Sequence, residues 1–290
     1  MVTVAIVIPN LNGSRFLRQT LSSIDRQSIK PDEVIISDNH STDNSLEIIK
    51  EFSALNIQVV QPQRPISMSQ NWNYAVLNTK SDWLFLLSND DLLRDTAVAK
   101  LKSIINVISE DVAVISFKSE IINDDSKLVL GKYKIGRFRV QKQLEFLVKN
   151  IRYLKINAAA VAIKKSAWET VGGFPESYNF LHDLVFYQKV IFKFDIIESK
   201  EVLGRYRIYK SRPNSASRTL KTESDFRNYE NSDLKNYIKI YPELHNAYYL
   251  ANKSRIWPLK VNLRRIFLFC FTSLRRIEDK LGISGFTIEK

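Results

Sequence analysis

Two aspartates, Asp90 and Asp91, follow the apolar run WLFLL at 83–87 after Ser88 and Asn89. A continuous apolar run of that length suits a buried parallel strand, so the pair falls on a turn at the sheet's edge. Hard divalent cations prefer carboxylate oxygens. An ion held by one or two carboxylates plus substrate phosphates suits Mg²⁺ or Mn²⁺. Held there, it would stabilise a diphosphate as a leaving group. The competing reading is a helix-capping turn with solvated acids. Asp38 closes a second apolar run, at 34–37, and opens the polar stretch Asp38-Asn39-His40-Ser41-Thr42-Asp43. An Asp and an Asn at that point could hydrogen-bond a pyrimidine's imide edge or a ribose hydroxyl. Equally, the stretch is a polar loop in which Thr42 or Asp43 caps the next helix. Asp183 follows the turn Gly172-Gly173-Phe174-Pro175 and a tyrosine-bearing loop. An acid at a helix start meets the positive end of the dipole, which favours the ionised form a general base needs. A plain N-cap is the alternative.

These acids need elements to hold them, and the first 110 residues alternate strand and helix. Residues 2–8 form a β-branched run stopped by Pro9; Ser14 then caps a helix with Leu17, Leu21 and Ile24 at helical spacing. A strand at 34–37 precedes a helix opened by Thr42 or Asp43, with Leu46, Ile49 and Phe52 on one face. Strand 57–60, helix 70–78, strand 83–87, a helix at 96–108 capped by Asp95, and strand 112–117 follow. That order predicts an α/β fold, a parallel sheet with helices on both faces. Ligands in such sheets sit beyond the carboxyl ends of the strands. Pro9-Asn10, Asp38-Asn39 and Asp90-Asp91 all stand at such ends. No G-x-G-x-x-G follows the first strand and no G-x-x-x-x-G-K-[ST] occurs, which argues against dinucleotide dehydrogenases and P-loop enzymes. Farther on, 118–139 reads as an extended excursion, 140–150 as a helix, 157–163 as a strand, 166–171 as a short helix ended by Gly172-Gly173, and 184–192 as a helix. Beyond Arg218 the chain is mostly helical and charged.

Taken in this order, the motifs resemble those of family 2 glycosyltransferases of the GT-A fold, the inverting type common in bacterial surface-polysaccharide assembly. The resemblance covers about residues 3–215. VAIVIPNLNGSRFLRQTLSSIDRQS resembles the family's first strand, Pro-containing turn and helix, which places Pro9 and Asn10 at the donor. VIISDNHSTDNS resembles its nucleotide-binding segment, with Asp38 on the base. Residues 68–75 resemble the helix beneath the donor, with Asn71 and Asn73. FLLSNDDLL resembles the D-x-D region, which makes Asp90 a donor contact and Asp90 and Asp91 the contacts to metal and diphosphate. AAAVAIKKSAWETVGGF followed by LHDLVF resembles the acceptor half, with Asp183 as the base. RYRIYKSRPNSASR resembles a late segment that folds over the diphosphate, where Arg207 and Arg212 would offset its charge. The chain departs from the pattern at three positions. Ser88 stands where the first acid of D-x-D is common, His182 where a Glu usually precedes the base, and Tyr209 where many members have His.

The resemblance implies a single displacement. Sugar passes from a nucleotide diphosphate donor to an acceptor hydroxyl, on a lipid-linked oligosaccharide of O-antigen, capsule or exopolysaccharide. It also implies a GT-A catalytic domain at 1–218, split into a nucleotide-sugar half (1–117) and an acceptor half (118–218), with a basic helical extension at 219–290. Two other functions stay open: a catalytically inactive GT-A binding module, motivated by Ser88 and Tyr209, and a sugar nucleotidyltransferase, which also uses a strand-end acid pair.

Charge and composition bound the partners. The chain has 290 residues, 44% of them hydrophobic, and a net charge of +12. Residues 1–110 carry 10 basic and 12 acidic side chains, so the other 180 hold 33 against 19, or +14. A basic second half suits phosphates or anionic lipid. Nucleic acid is not expected, because the first half is slightly acidic and no recognition motif occurs. Within 251–290, Leu263, Ile266, Phe267, Cys270, Phe271 and Leu274 form one apolar helical stripe, with Arg264, Arg265, Arg275 and Arg276 off it and Trp257 near its start. That pattern suits a helix lying in an anionic membrane interface; packing against the catalytic domain or a second subunit is the alternative. Cys270 is the single cysteine, so no intrachain disulfide can form, and His40, His182 and His245 are too scattered for structural zinc. The start of the chain lacks a signal peptide's charged n-region and cleavage site. The expectation is a reducing cytoplasm, with peripheral attachment to the inner membrane's cytoplasmic face. Oligomeric state is left open.

Overall fold

A computed structural model describes residues 2–130, 139–141, 158–176, 182–191 and 193–208, all within one compact unit, Met1–Thr219. The expectations for Tyr209, Arg212 and the extension at 219–290 lie outside these residues, as does the helix expected at 140–150 except at 140 and 141, which form part of a strand instead because they pair with Ile197 and Ile196.

The first half follows the expected alternation. Strands β1 (Val4–Asn10), β2 (Glu33–Asp38), β3 (Ile57–Val60) and β4 (Trp83–Leu86) alternate with helices α1 (Ser14–Asp25), α2 (Ser45–Lys50) and α3 (Met68–Leu77). The four strands pair parallel in the order β3-β2-β1-β4, with Asn10 in register with Asp38. β1 is buried on both faces, as a central parallel strand must be. Val4, Ile6 and Ile8 face a core shared with Leu17, Leu21 and Ile24 of α1. Leu101, Ile104 and Ile105 of α4 (Ala97–Ile105) join that core. Each such side chain contributes about 1.5–3 kcal/mol on burial. α3 contacts β1 and β2, where Ala5, Val7 and Ile35 are buried outside that core.

The helix starts differ from expectation in detail. Ser14 does not cap α1. Its amide donates to Asp43 Oδ2 at 2.9 Å, while Asp43 Oδ1 accepts from the Ser45 amide at 3.0 Å. One carboxylate thus serves the amino ends of both α1 and α2. Asp95 does not cap α4; Thr96 stands at its N-cap without a side-chain bond, and the Val98 amide of its first turn donates to Gln27 Oε1 at 3.0 Å. α3 begins two residues earlier than its apolar pattern suggests, because Ser67 and Gln70 form a reciprocal capping box.

Beyond β4 the sheet becomes mixed. Its order continues β4-β9-β6-β10-β5, where β9 (Val161–Lys164) runs antiparallel to both β4 and β6 (Val112–Ile122). β10 (Asp195–Arg207) lies parallel to β6 over most of its length. Short strands β5 (Leu92–Leu93), β7 (Leu128–Leu130) and β8 (Arg139–Gln141) pair antiparallel with β10, β6 and β10 in turn. The longer pairings are parallel, so the sheet is mostly parallel by residues. The expected excursion from residue 118 instead begins as the continuation of β6, because β10 supplies partners there, Val202 for Lys118 and Arg207 for Ile122. Helices α5 (Lys165–Thr170) and α6 (His182–Ile191) complete the described part. Among the described residues no helix is long and apolar enough to cross a membrane.

Candidate active site

Asn10, at the end of β1, is fully buried and binds the ends of the neighbouring strands. Its Nδ2 donates to Asp38 Oδ1 at 2.8 Å and to Ser41 Oγ at 3.1 Å; its Oδ1 accepts from Asn89 Nδ2 at 2.7 Å. Asp38 Oδ1 also accepts from Ser41 Oγ at 2.6 Å, and its Oδ2 accepts from the Ser41 amide at 3.0 Å. The amide of the exposed Gln61 covers Oδ2 at 3.4 Å. Asn71 closes the group from α3, accepting from Ser37 Oγ at 2.6 Å and donating to the Ser37 carbonyl at 3.2 Å. Asn10, Asp38 and Asn71, expected on the donor, are therefore brought together as an internal polar bracket. Satisfied groups of this kind fix a geometry strongly because leaving one unpaired in low dielectric is costly. Asp38 Oδ2 is thus contacted by an exposed side chain, that of Gln61.

Arg207, expected to offset diphosphate charge, is also turned inward. It has no exposed surface, and its guanidinium serves the protein's own acceptors. Nε donates to the Asp90 carbonyl at 2.7 Å, Nη1 to the carbonyls of Asn123 at 2.8 Å and Asp124 at 3.0 Å, and Nη2 to Gln19 Oε1 at 2.7 Å. Its other face lies over the Phe16 ring at 4.4 Å, a cation–π contact. Asp91, expected as a metal contact, is fully buried, and its Oδ1 accepts the Arg207 amide at 2.8 Å. Both residues thus fasten the end of β10 to the turn after β4.

Asp90, only 6% exposed, and the half-buried Ser88 stand on the same turn. Among the described residues no three His, Cys, Asp or Glu side chains cluster as a protein-only metal cage. One carboxylate and one hydroxyl on a tight turn fit an ion held chiefly by phosphate oxygens, the usual habit of Mg²⁺. The fit runs through Asp90 and Ser88, and not through Asp91.

The acceptor side is organised from α3 and α6. Asp183, in the first turn of α6, is half-buried and shares a pocket with Pro9, Trp72, Leu86, Leu87, Ser88 and Tyr187. Pro9 and Leu86 belong to the ends of β1 and β4, so the pocket opens where parallel sheets bind ligands. Tyr187, one turn after Asp183, is buried. That burial, and then the Asp183 charge, push its phenol far above the usual tyrosine range. The hydroxyl therefore stays protonated as a donor. His182 is buried against Trp72, with centroids 4.7 Å apart and rings perpendicular, and lies 6.1 Å from Phe174.

Asn73, the last expected donor contact, pins the turn that carries Phe174. Its Nδ2 donates to the Phe174 carbonyl and its Oδ1 accepts the Phe174 amide, both at 2.8 Å. Gly172 and Gly173 make that turn with φ of +78° and +71°, a region glycine enters without penalty. A Cβ at Gly173 would stand 2.7 Å from Asn73 Oδ1 and 2.8 Å from Trp168 Cζ2. Of the residues expected from the sequence, Pro9 and Asp183 line this pocket and Asp90 does not; Trp72 and Tyr187, which also line it, were not singled out. The spacing of Tyr187, four residues after Asp183 on a predicted helix, was the available signal.

Residues 5–165, more than half of the chain, match the family described as glycosyl transferase family 2. An uncharacterized glycosyltransferase of Rickettsia typhi is 22% identical over 206 residues, covering 71% of this chain and 64% of that protein. The poly(ribitol-phosphate) beta-N-acetylglucosaminyltransferase TarP of Staphylococcus aureus is 29% identical over 139 residues, covering 47% of this chain and 38% of that one. The O-antigen chain rhamnosyltransferase RfbN of Salmonella typhimurium is 20% identical over 193 residues, covering 65% and 60%. The chain spans less than two thirds of the length of each of these relatives. Among solved structures, S. aureus TarS 1–349 in complex with UDP-GlcNAc superposes with a TM-score of 0.60 at 16% identity, over 74% of this chain and 62% of that one. The same protein with UDP gives 0.59 over 71% and 61%. The sheet is thus the GT-A fold, and the chain belongs to glycosyl transferase family 2.

Proposed function

We propose that this chain transfers a sugar from a nucleotide diphosphate donor to an acceptor hydroxyl, inverting the anomeric carbon, during assembly of a bacterial surface polysaccharide. The observation that carries the reading is the shared pocket: Asp183 stands in it with Ser88, on the turn that bears Asp90. The acceptor oxygen attacks the anomeric carbon as its proton passes to Asp183, and the bond to the diphosphate oxygen breaks with its electron pair. Its place in the first turn of α6 favours ionised Asp183. The Tyr187 hydroxyl cannot compete as a base, since it holds its proton. Asp90 and Ser88 are the residues that would hold Mg²⁺ or Mn²⁺, which when bound supplies charge compensation to the departing diphosphate. Asp38 would meet the nucleotide through Oδ2 once the Gln61 amide moves aside.

The polysaccharide context rests on the relatives, since TarP acts on poly(ribitol-phosphate) and RfbN on the O-antigen chain by their names. A lipid-linked acceptor and a peripheral membrane position are supported by the nine basic and three acidic side chains of 251–290. An inactive binding module is favoured by one observation: with Ser88 for an acid and Asp91 turned inward, a single carboxylate is left for the diphosphate turn. Turnover of any nucleotide sugar excludes that module.

The test is calorimetric titration of UDP, dTDP and GDP with and without Mn²⁺, followed by transfer assays. One nucleotide should bind in a metal-dependent way that Asp90→Ala removes. Asp183→Asn should reduce transfer by about 10²–10⁴-fold at unchanged nucleotide affinity. Weakened nucleotide binding in Asp183→Asn would take that residue out of the base role.

A further inference from the structure

Three consecutive residues of α3 divide the work of the pocket wall. Asn71 is tied to the Ser37 backbone and hydroxyl, and Asn73 to both backbone groups of Phe174. Between them stands Trp72, half-buried, held in perpendicular contact by Phe174 at 5.2 Å and by His182 at 4.7 Å. The indole is therefore fixed before any ligand arrives, and its remaining surface lines the pocket beside Asp183 and Tyr187. Pro9, Leu86 and Leu87 make the rest of the lining apolar, and Ser88 and Asp183 are its strongly polar groups.

We infer that Trp72 is a platform for the acceptor, and that the acceptor unit at the reacting hydroxyl is a closed pyranose ring rather than an acyclic polyol. The inference rests on the transferase reading, because Asp183 must touch the acceptor hydroxyl to take its proton. A pyranose has a contiguous face of ring C–H groups and a polar rim. Against Trp72 that face is matched to an aromatic surface, while a rim hydroxyl meets Asp183 and another the Tyr187 or Ser88 hydroxyl. A pocket that sets an aromatic face beside placed polar groups recognises ligands of that amphipathic kind. An open-chain polyol carries hydroxyls along its whole length and has no such face. Laid on Trp72, it would lose water from hydroxyls that the indole face cannot satisfy. A donor sugar on Trp72 is the competing occupant. The position of Asp90 outside the lining, on the turn beyond Ser88, puts the diphosphate end to one side of this ring.

The experiment is saturation-transfer NMR on the full chain with methyl pyranosides (glucoside, galactoside, mannoside, N-acetylglucosaminide, rhamnoside) and with ribitol, each with the best-binding nucleotide present. At least one pyranoside should receive saturation on its ring protons, and ribitol should not. Trp72→Leu should weaken that pyranoside by about tenfold, Trp72→Phe much less, and neither should change nucleotide affinity. Ribitol binding as well as the pyranosides, no pyranoside binding, or an unaltered Trp72→Leu would each overturn the platform. A loss of nucleotide affinity in Trp72→Leu would assign the indole to the donor and also overturn it. The wild-type contrast needs no variant, so poor folding of Trp72→Leu would not shelter the proposal. Failure of the transferase reading looks different, since it appears as no nucleotide bound by wild type, with the pyranoside comparison still readable.

Discussion

Arg207 shows how far a residue's type and place in a motif can mislead about its role. A basic side chain near the end of a late segment is well chosen for phosphate, and nothing in its neighbours marks it as buried. Its acceptors are carbonyls at Asp90, Asn123 and Asp124 and a hydroxyl at Ser126, contributed by loops that adjoin only in three dimensions. Asn10, at a strand end, and Asn71 and Asn73, on α3, teach the same lesson: they were legible as polar residues near the site, but not the direction each side chain takes. The assignment makes a prediction. Arg207→Lys keeps the charge but loses the planar fork, leaving several buried acceptors unpaired. We expect a destabilisation of about 3 kcal/mol or more in urea unfolding, with nucleotide affinity of the folded protein unchanged. Normal stability with weakened UDP or GDP binding would return Arg207 to the diphosphate.

At the scale of elements, β1 to β4 and α1 to α4 were legible because apolar period and polar strand ends agree with each other there. β9 was legible as a strand but not as antiparallel, since direction depends on partners that periodicity does not name. β10 was missed for a related reason. DIIESKEVLGRYR carries charges throughout, and it becomes a strand because β6 offers it a parallel edge. The turn at Gly172-Gly173 was legible as a helix stop, yet its coupling to α3 was not. That coupling separates the two glycines. At Gly172 a Cβ meets nothing, so Gly172→Ala should cost only the left-handed backbone, about 1–2 kcal/mol. Gly173→Ala adds a collision with Asn73 Oδ1, breaks the Asn73–Phe174 pair and loosens the wall beside Trp72. Denaturant unfolding should rank Gly173→Ala well below Gly172→Ala, and only Gly173→Ala should lower transfer. Equal losses in both variants would show that the turn does not position the pocket.

Among the described residues, one group of acids stands at the carboxyl ends of the parallel strands and another at their amino ends. The acids at the carboxyl ends announce themselves in the sequence, because they interrupt apolar runs where ligands bind. Those at the amino ends are spread through loops and look like ordinary surface charge. In the fold they staple the strands together: Asp32 accepts the Val4 amide at 2.7 Å, Asp82 the Thr3 amide at 2.8 Å, and Glu33 the Lys80 amide at 2.9 Å. Burial pushes Asp32 and Glu33 up, but hydrogen bonds outweigh it, from Lys102 and Val4 on Asp32 and from Thr79, Lys80 and Ser81 on Glu33. For Asp82 the Thr3 amide leads, ahead of the opposing effect of partial burial. All three are held below the ordinary carboxylate range. A carboxyl whose pKa is lower folded than unfolded binds fewer protons in the native state, so stability rises with pH through that interval. The contribution is complete above the unfolded value, near 4.5 for Glu33, and disappears as pH falls through the lower folded value. Urea midpoints should therefore be flat near neutrality and fall steadily below about pH 5. Glu33→Gln, which cannot titrate, should start from a lower neutral-pH midpoint and lose less of it on acidification. It should leave nucleotide affinity at neutral pH intact, because Glu33 stands at the opposite end of β2 from Asp38. An acid slope as steep in Glu33→Gln as in wild type would mean that the amino-end carboxylates do not set the pH limit of the fold.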